Sequence, residues 1–188
     1  MNAITSKILL LIFFVSCNGQ DGNDKRPDFS LSEIIETGHL DKSQISLLID
    51  KSDYKMYVRI GTQILKEYPE VFGRNTFDDK LMQGDNCTPE GTFYMITKYP
   101  HKKWSKFIWI NYPNEESWRK HNVAKLNGKI PKNADIGGEV GIHGVPKGMD
   151  LLITARYNWT LGCISLKNKD VDELYPYILK TTKIEIRK

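Results

Sequence analysis

A histidine and a cysteine near the carboxyl end of the chain are the residues best suited to covalent chemistry. His143 is followed by Gly144, and Cys163 is preceded by Gly162. A thiol needs a nearby base to become a nucleophile at neutral pH, and imidazole has a pKa that suits this task. The glycine before the cysteine permits a tight turn whose N–H groups face a developing oxyanion. By spacing alone, the pair predicts either a nucleophile with its base or a packed turn.

The residues around this pair extend the pattern. Sixteen residues separate His143 from Thr160, after which Gly162, Cys163 and Ile164 follow in close order. Three further segments lie at residues 84–93 (GDNCTPEGTF), 109–114 (WINYPN) and 168–174 (NKDVDEL).

Over about residues 44–188 these motifs resemble those of the YkuD-type L,D-transpeptidases, bacterial enzymes that act on peptidoglycan stem peptides. The stretch 159–174 is most similar to the YafK-like branch of that family. This branch includes proteins that hydrolyse the link between peptidoglycan and lipoprotein.

The resemblance implies a role for each residue of the motif. Cys163 is the nucleophile that attacks the carbonyl of the L-centre of a diamino acid and forms a thioester acyl-enzyme. His143 is the base, and the backbone carbonyl of Gly144 orients its ring. The N–H groups of Gly162 and Cys163 form the oxyanion site. Transfer of the acyl group to an amine completes the reaction, and no metal or organic cofactor is implied.

Residues near the cysteine are the candidates for substrate contact. Thr160 shapes the loop or contacts the substrate, while Tyr157 and Trp159 either line the cleft or pack in the core. Ser165 stands where many family members carry Arg or Asn, so contacts at this position depart from the family pattern.

Two alternatives to a transpeptidase remain open. One is a hydrolase with the same acyl-enzyme, acting as an L,D-carboxypeptidase or on the link between peptidoglycan and lipoprotein. The other is a cell-wall-binding module without activity. The expected partners are peptidoglycan stem peptides and, for the first alternative, envelope lipoproteins.

The remaining cysteine and histidines are expected to be structural or solvated. Cys87 is interpreted as a buried thiol, with a regulatory disulfide to Cys163 as the alternative. His39, His101 and His121 are expected at the surface. A zinc site built from these groups matches no ligand spacing.

The first residues indicate export. Lys7 precedes an apolar run at residues 8–15, which ends at Ser16-Cys17. This pattern predicts a lipoprotein signal peptide at 1–16 with lipidation of Cys17, the alternative being an ordinary cleaved signal. Residues 17–43 then form a tether with a short helix. The expected location is the bacterial cell envelope, on the periplasmic side, with a lipid anchor in the membrane.

Composition sets limits on the class of protein. The chain has 188 residues, of which 40% are hydrophobic and 27% charged, with a formal net charge of +4. These values are typical of one soluble globular domain, and no apolar run reaches the length of a spanning helix. The charge is too small to indicate a nucleic-acid partner.

Short strands must position the candidate pair. Alternating or apolar runs predict strands at residues 45–49, 54–60, 63–66, 93–96, 107–110, 141–143 and 183–186. Asn114 and Asn168 begin two helices, the second of which is expected to kink or end early at Pro176. The pattern predicts a mainly β (α+β) domain over 44–188. The resemblance implies an L,D-transpeptidase-like β-sandwich with one or two short helices, in which the cysteine loop precedes a helix.

Overall fold

The computed structural model describes residues 29–188, which form eight strands and four α-helices. The strands are β1 (Ile45–Asp50), β2 (Lys55–Ile60), β3 (Gln63–Val71), β4 (Gly91–His101), β5 (Ser105–Ile110), β6 (Gly141–His143), β7 (Ile164–Leu166) and β8 (Lys183–Arg187). The α-helices are α1 (Leu31–Thr37), α2 (Glu115–Leu126), α3 (Leu151–Thr154) and α4 (Asn168–Leu174), and short 3-10 helices span Lys42–Gln44 and Tyr175–Tyr177.

The strands close into one barrel in the order β1-β2-β3-β7-β6-β5-β4-β8. Most neighbours are antiparallel, whereas β6 and β7, and also β1 and β8, run parallel. The mainly β class is therefore confirmed. Cys163 lies directly before β7, and α4 begins just beyond that strand, as expected for a cysteine loop that precedes a helix.

Apolar side chains at alternating positions of the strands fill the barrel interior. Ile45, Leu47 and Ile49 of β1 face the interior, because successive side chains of a strand point to opposite faces. Helix α1 belongs to the same core, in which its Leu31 and Ile35 are buried.

Side-chain caps begin α1 and α2. The Ser30 hydroxyl accepts a hydrogen bond from the Glu33 N–H at the start of α1, and the Glu33 carboxylate accepts one from the Ser30 N–H. Asn114 caps α2 through the Ser117 N–H at 3.0 Å. Helix α4 ends at Leu174, shortly before Pro176, which confirms the expected early end.

Helix α3 lies in the segment between His143 and Cys163, which the sequence does not predict to be helical. It has only four residues and no side-chain cap. Its Ile153 packs with Val71 and Val145 in a small second cluster on the outside of β3. This contact anchors the segment that connects the candidate base to the candidate nucleophile.

The export predictions for residues 1–16 and Cys17 lie outside the described residues, as does the tether up to residue 28. Among residues 29–188, no helix has the length and apolar character needed to cross a membrane.

Candidate active site

Strands β6 and β7 bring the candidate base and nucleophile together. The two strands are parallel, with His143 opposite Ser165 and Ile142 opposite Ile164. Cys163 therefore lies two positions before the partner of His143, on the same face of the sheet. Both residues line one cleft of about 820 Å³.

Gly144 fixes the tautomer of the histidine. His143 Nδ1 lies 2.6 Å from the Gly144 carbonyl oxygen. Because a carbonyl only accepts, Nδ1 carries the hydrogen, and Nε2 of the neutral ring is free to take a proton. The Ser165 hydroxyl donates to the same carbonyl at 3.3 Å. This placement gives Gly144 the orienting role expected from the sequence.

Gly144 can only be glycine in this packing. A Cβ at this position would lie 2.1 Å from the Asn168 side-chain oxygen and 2.7 Å from the Trp104 carbonyl oxygen. The Gly144 N–H donates to that Trp104 carbonyl at 2.9 Å, and the Val145 N–H donates to Asn168 Oδ1 at 3.1 Å.

Aromatic rings enclose the imidazole. Trp104 and Phe107 stack on His143 with ring centroids 4.5 and 5.7 Å away, and Trp159 meets it edge-on at 5.5 Å. Burial in this aromatic surround lowers the pKa of His143 to about 4, although the bond to Gly144 opposes the shift. The ring is therefore neutral at pH 7, so that Nε2 is able to accept a proton.

The thiol of Cys163 is also neutral at rest. Its Sγ donates to the Glu139 carbonyl oxygen at 3.5 Å. Burial raises the pKa of Cys163 to about 11, while the backbone of Gly141 and the charge of Lys80 act to lower it. The site therefore holds a thiol and an imidazole rather than an ion pair, and the proton must move as the thiol attacks.

Thr160 organises the cysteine loop. Its hydroxyl donates to the Cys163 carbonyl at 2.7 Å and accepts from the Gly162 N–H at 3.2 Å. The Gly162 N–H is thus already donated within the loop, which corrects the expectation that it serves an oxyanion. Gly162 is instead required by its φ of 142° and by the Cys87 carbonyl oxygen, 2.8 Å from where a Cβ would stand.

The four expected substrate contacts separate into two groups. Thr160 and Trp159 line the cleft. Tyr157 is 62% exposed and lies outside the lining, and Ser165 is fully buried behind His143. Ser165, which stands where many family members carry Arg or Asn, therefore contacts the Gly144 carbonyl and does not line the cleft.

Three charged residues of the cleft were not predicted from the sequence. Arg74, Lys80 and Glu139 line it together with the reactive pair. Arg74 and Lys80 come from the β3–β4 connection and Glu139 from the segment before β6, two parts of the chain that meet only when the barrel closes, and no local motif marks them. Trp104 also lines the cleft and was not predicted, because it stands among lysines in a turn whose composition is typical of a solvated loop.

The predictions for the other histidines hold in part. His39 is exposed, as expected. His121 is buried with Nδ1 2.6 Å from the Leu81 carbonyl oxygen, so its predicted surface position is wrong. His101 is half-buried and stacks on Trp104 at 4.4 Å.

Cys87 is buried, and both Cys87 and Cys163 are free thiols. Burial raises the pKa of Cys87 to about 11. Within residues 29–188, His, Cys, Asp and Glu side chains form no group of three or more that could hold a metal ion.

The structure is thus a closed barrel that brings a free cysteine and a hydrogen-bonded histidine to one cleft. Residues 44–186 match the YkuD family, the L,D-transpeptidase catalytic domain. The chain belongs to this family. The YafK-like branch stays a prediction, because the match is to the family as a whole.

Solved structures agree with this assignment. The Bdellovibrio bacteriovorus protein Bd1075 is 26% identical over 77% of this chain and 48% of its own, with a TM-score of 0.53. Pgp2 of Campylobacter jejuni, a helical cell shape determining protein, is 21% identical over 84% of this chain and 54% of its own, also with a TM-score of 0.53. An L,D-transpeptidase from Mycobacterium smegmatis is 15% identical over 77% and 59% of the two chains, with a TM-score of 0.50.

The chain thus spans about half the length of the solved relatives that it matches. None of the curated proteins is significantly similar to it in sequence.

Proposed function

We propose that this protein is a cysteine-dependent L,D-transpeptidase of peptidoglycan stem peptides. The observation that carries the proposal is the pairing of Cys163 with His143 in one cleft, where the Gly144 carbonyl holds Nδ1–H and frees Nε2 as the base.

The reaction follows from these groups. The Cys163 sulfur bonds to the substrate carbonyl carbon as its proton passes to His143 Nε2, and the carbonyl π electrons move to oxygen. The tetrahedral intermediate collapses with loss of the amine of the terminal D-residue, which takes the proton from His143. A second amine then attacks the thioester and gives its proton to His143, which returns it to the departing Cys163 sulfur, so that the thiol and the neutral imidazole are restored.

The cleft suits an extended peptide with charged groups. Its volume of about 820 Å³ lies within the range of ligand sites. Arg74 and Glu139 are exposed on its walls and offer a cation and an anion to a stem peptide that carries both carboxylate and ammonium groups.

A hydrolase is the second candidate, and the openness of the site favours it. Cys163 is only partly buried, and the neighbouring Leu161 is 67% exposed. Water therefore has access to a thioester on Cys163, as an L,D-carboxypeptidase or a lipoprotein-releasing enzyme requires.

The proposed setting is the cell envelope. Membership of a cell-wall enzyme family supports this location. The signal-like run at residues 8–15 and the following Cys17 support a periplasmic, lipid-anchored protein, and envelope lipoproteins are further candidate partners of the hydrolase.

The test incubates the full-length protein with disaccharide-tetrapeptides, with and without a free D-amino acid, and analyses the products by mass spectrometry. Crosslinked dimers or exchange of the terminal residue are expected. Tripeptides alone would assign the hydrolase instead.

The Cys163→Ala variant should lose all turnover, because the thioester cannot form, whereas Cys87→Ala should keep it. Turnover that survives in Cys163→Ala would exclude the proposed mechanism. Unchanged peptides with the native protein would exclude both enzyme candidates on this substrate.

A further inference from the structure

Lys80 is a buried cation on the wall of the cleft. Its residue is only 6% exposed, yet it lines the same cavity as Cys163. The ammonium donates to Asp85 Oδ1 at 2.8 Å and to the Met82 carbonyl at 3.2 Å. An ammonium has three N–H donors, and within residues 29–188 the third has no hydrogen-bond acceptor.

Asp85 holds this ammonium in place. Burial alone would raise the pKa of Asp85, but Lys80 and the N–H groups of Leu81, Met82 and Cys87 lower it overall. The carboxylate therefore stays ionised and fixes Lys80 by charge and by geometry.

The ammonium lies beside the loop that presents the nucleophile. Gly162 has no Cβ, and Lys80 Nζ is 3.9 Å from the point where one would stand. Nζ is therefore a near neighbour of the loop that carries Cys163. Any side chain at position 162 would narrow the space between the ammonium and the loop.

The chemistry of the site needs another hydrogen-bond donor at this place. Attack of a thiol on a carbonyl leaves a negative charge on the carbonyl oxygen, which two or more donors usually stabilise. The Gly162 N–H is already donated to Thr160, so the Cys163 N–H remains as the backbone donor of the expected pair.

Lys80 does not act by ionising the thiol at rest. Its charge lowers the pKa of Cys163, but burial outweighs it, and the value stays at about 11. The charge is therefore available to the oxygen on which negative charge develops during the attack. His143 is neutral before attack and cannot supply it.

We propose that Lys80 is a catalytic residue whose ammonium donates a hydrogen bond to the oxyanion formed when Cys163 attacks an acyl carbonyl. The proposal rests on Cys163 being the nucleophile of the proposed function. The C–S bond forms, the C=O π pair moves to oxygen, and the thiol proton passes to His143. Lys80 keeps its proton throughout and releases the oxygen when the carbonyl re-forms.

The test separates reactions that develop an oxyanion from one that does not. Acylation of Cys163 by p-nitrophenyl acetate passes through an oxyanion whatever the natural substrate is, and alkylation by iodoacetamide does not. Both rates are measured in the full chain carrying Cys87→Ala, so that Cys163 is the thiol observed in the domain, and in the same chain with Cys163→Ala as background.

The variants are Lys80→Gln and the double variant Lys80→Gln/Asp85→Asn, which avoids a buried unpaired carboxylate. Lys51→Gln is the matched control, because Lys51 is also buried and paired, with Glu90 at 2.6 Å, but lies outside the cleft lining. Thermal unfolding of all variants monitors the fold.

Both Lys80 variants should acylate at least about a hundredfold more slowly. Alkylation should fall less than about tenfold, because only the small effect of Lys80 on thiol ionisation is lost. Lys51→Gln should leave acylation much faster than in the Lys80 variants and should have little effect on alkylation.

Equal losses in both reactions, or no loss in acylation, would overturn the role of Lys80 while leaving Cys163 as the nucleophile. If Cys163 is not acylated when Lys80 and Asp85 are unchanged, the role of Cys163 as the nucleophile is refuted, and both proposals fail with it.

Discussion

Glu70 is a buried carboxyl group that the reaction does not use. It lies on β3 beside Val71, which pairs with Ser165 of β7. Both carboxyl oxygens are buried and lack a hydrogen-bond partner within residues 29–188. Burial, and to a smaller extent the charge of Asp50, raises the pKa of Glu70 well above its usual value.

This shift predicts a dependence of stability on pH. The folded state keeps a proton that the unfolded state releases above its ordinary carboxyl pKa, so stability is full below that value and falls as pH rises towards the folded pKa. Glu70→Gln removes the titration. The change that this substitution causes in the free energy of unfolding should be more stabilising at pH 8 than at pH 5, by about 1–3 kcal/mol.

Urea unfolding at the two pH values measures this difference. The control is Glu67→Gln on the same strand, where the carboxylate is half-exposed and pairs with Lys55 at the surface. A Glu70→Gln effect that is the same at both pH values would contradict the prediction.

The hairpin of β4 and β5 carries the ring that supports the base. His101 Nδ1 accepts from the Trp104 N–H at 3.2 Å, which fixes the turn, and the Trp104 indole then stacks between His101 and His143. An indole face stabilises a neighbouring cation by about 0.5–2 kcal/mol. We expect Trp104 to be a positioning residue whose ring face offsets part of the cost that burial imposes on forming the imidazolium during attack.

Trp104→Leu should slow acylation of Cys163 about tenfold, because the imidazolium loses this stabilisation. Rapid-mixing kinetics with p-nitrophenyl acetate measures the rate, and the pH profile should change with it. Trp118→Leu on α2 is the control, since Trp118 is half-exposed and contacts His121 instead. Equal rates in the two variants would exclude a role for the hairpin in catalysis.

The strands and helices differ in how well the sequence predicts them. Strands β1 and β5 were predictable from short apolar runs and β2 from an alternating run, and α1 and α2 begin at the capping residues Ser30 and Asn114. Helix α3 has no such cap and owes its place to the contact of Ile153 with β3.

The common cleft of Cys163 and His143 was predictable because both residues belong to one motif on adjacent strands, whereas their catalytic roles stay a prediction. Lys80 and Trp104 could not be assigned to the site in this way. Each comes from a loop distant in sequence and reaches the cleft through the closure of the barrel, which no local pattern encodes.

At the scale of the molecule, the described core extends beyond the residues that match the family. The match begins at residue 44, yet Leu31 and Ile35 of α1 are buried in the barrel core. The Leu31 N–H also donates to Glu173 of α4 at 2.5 Å, so α1 joins the barrel to the helix that follows the cysteine.

Leu31→Ala should therefore lower the free energy of unfolding by about 2–5 kcal/mol, because a fully buried leucine leaves a cavity. Chemical denaturation monitored by circular dichroism measures this loss. Phe29→Ala, two residues earlier and half-exposed, should cost much less. A small effect of Leu31→Ala would show that α1 is dispensable for the core.

The high pKa of Cys163 also affects how readily oxidants inactivate the protein. Oxidants such as hydrogen peroxide attack the thiolate, and with a pKa of about 11 only on the order of one Cys163 side chain in ten thousand is a thiolate at pH 7. An enzyme of the cell wall works without the thiol reductants of the cytoplasm, so a sulfur oxidised there is not readily restored. In the proposed mechanism, a sulfur that stays protonated until a carbonyl is bound against it is protected from irreversible damage between turnovers.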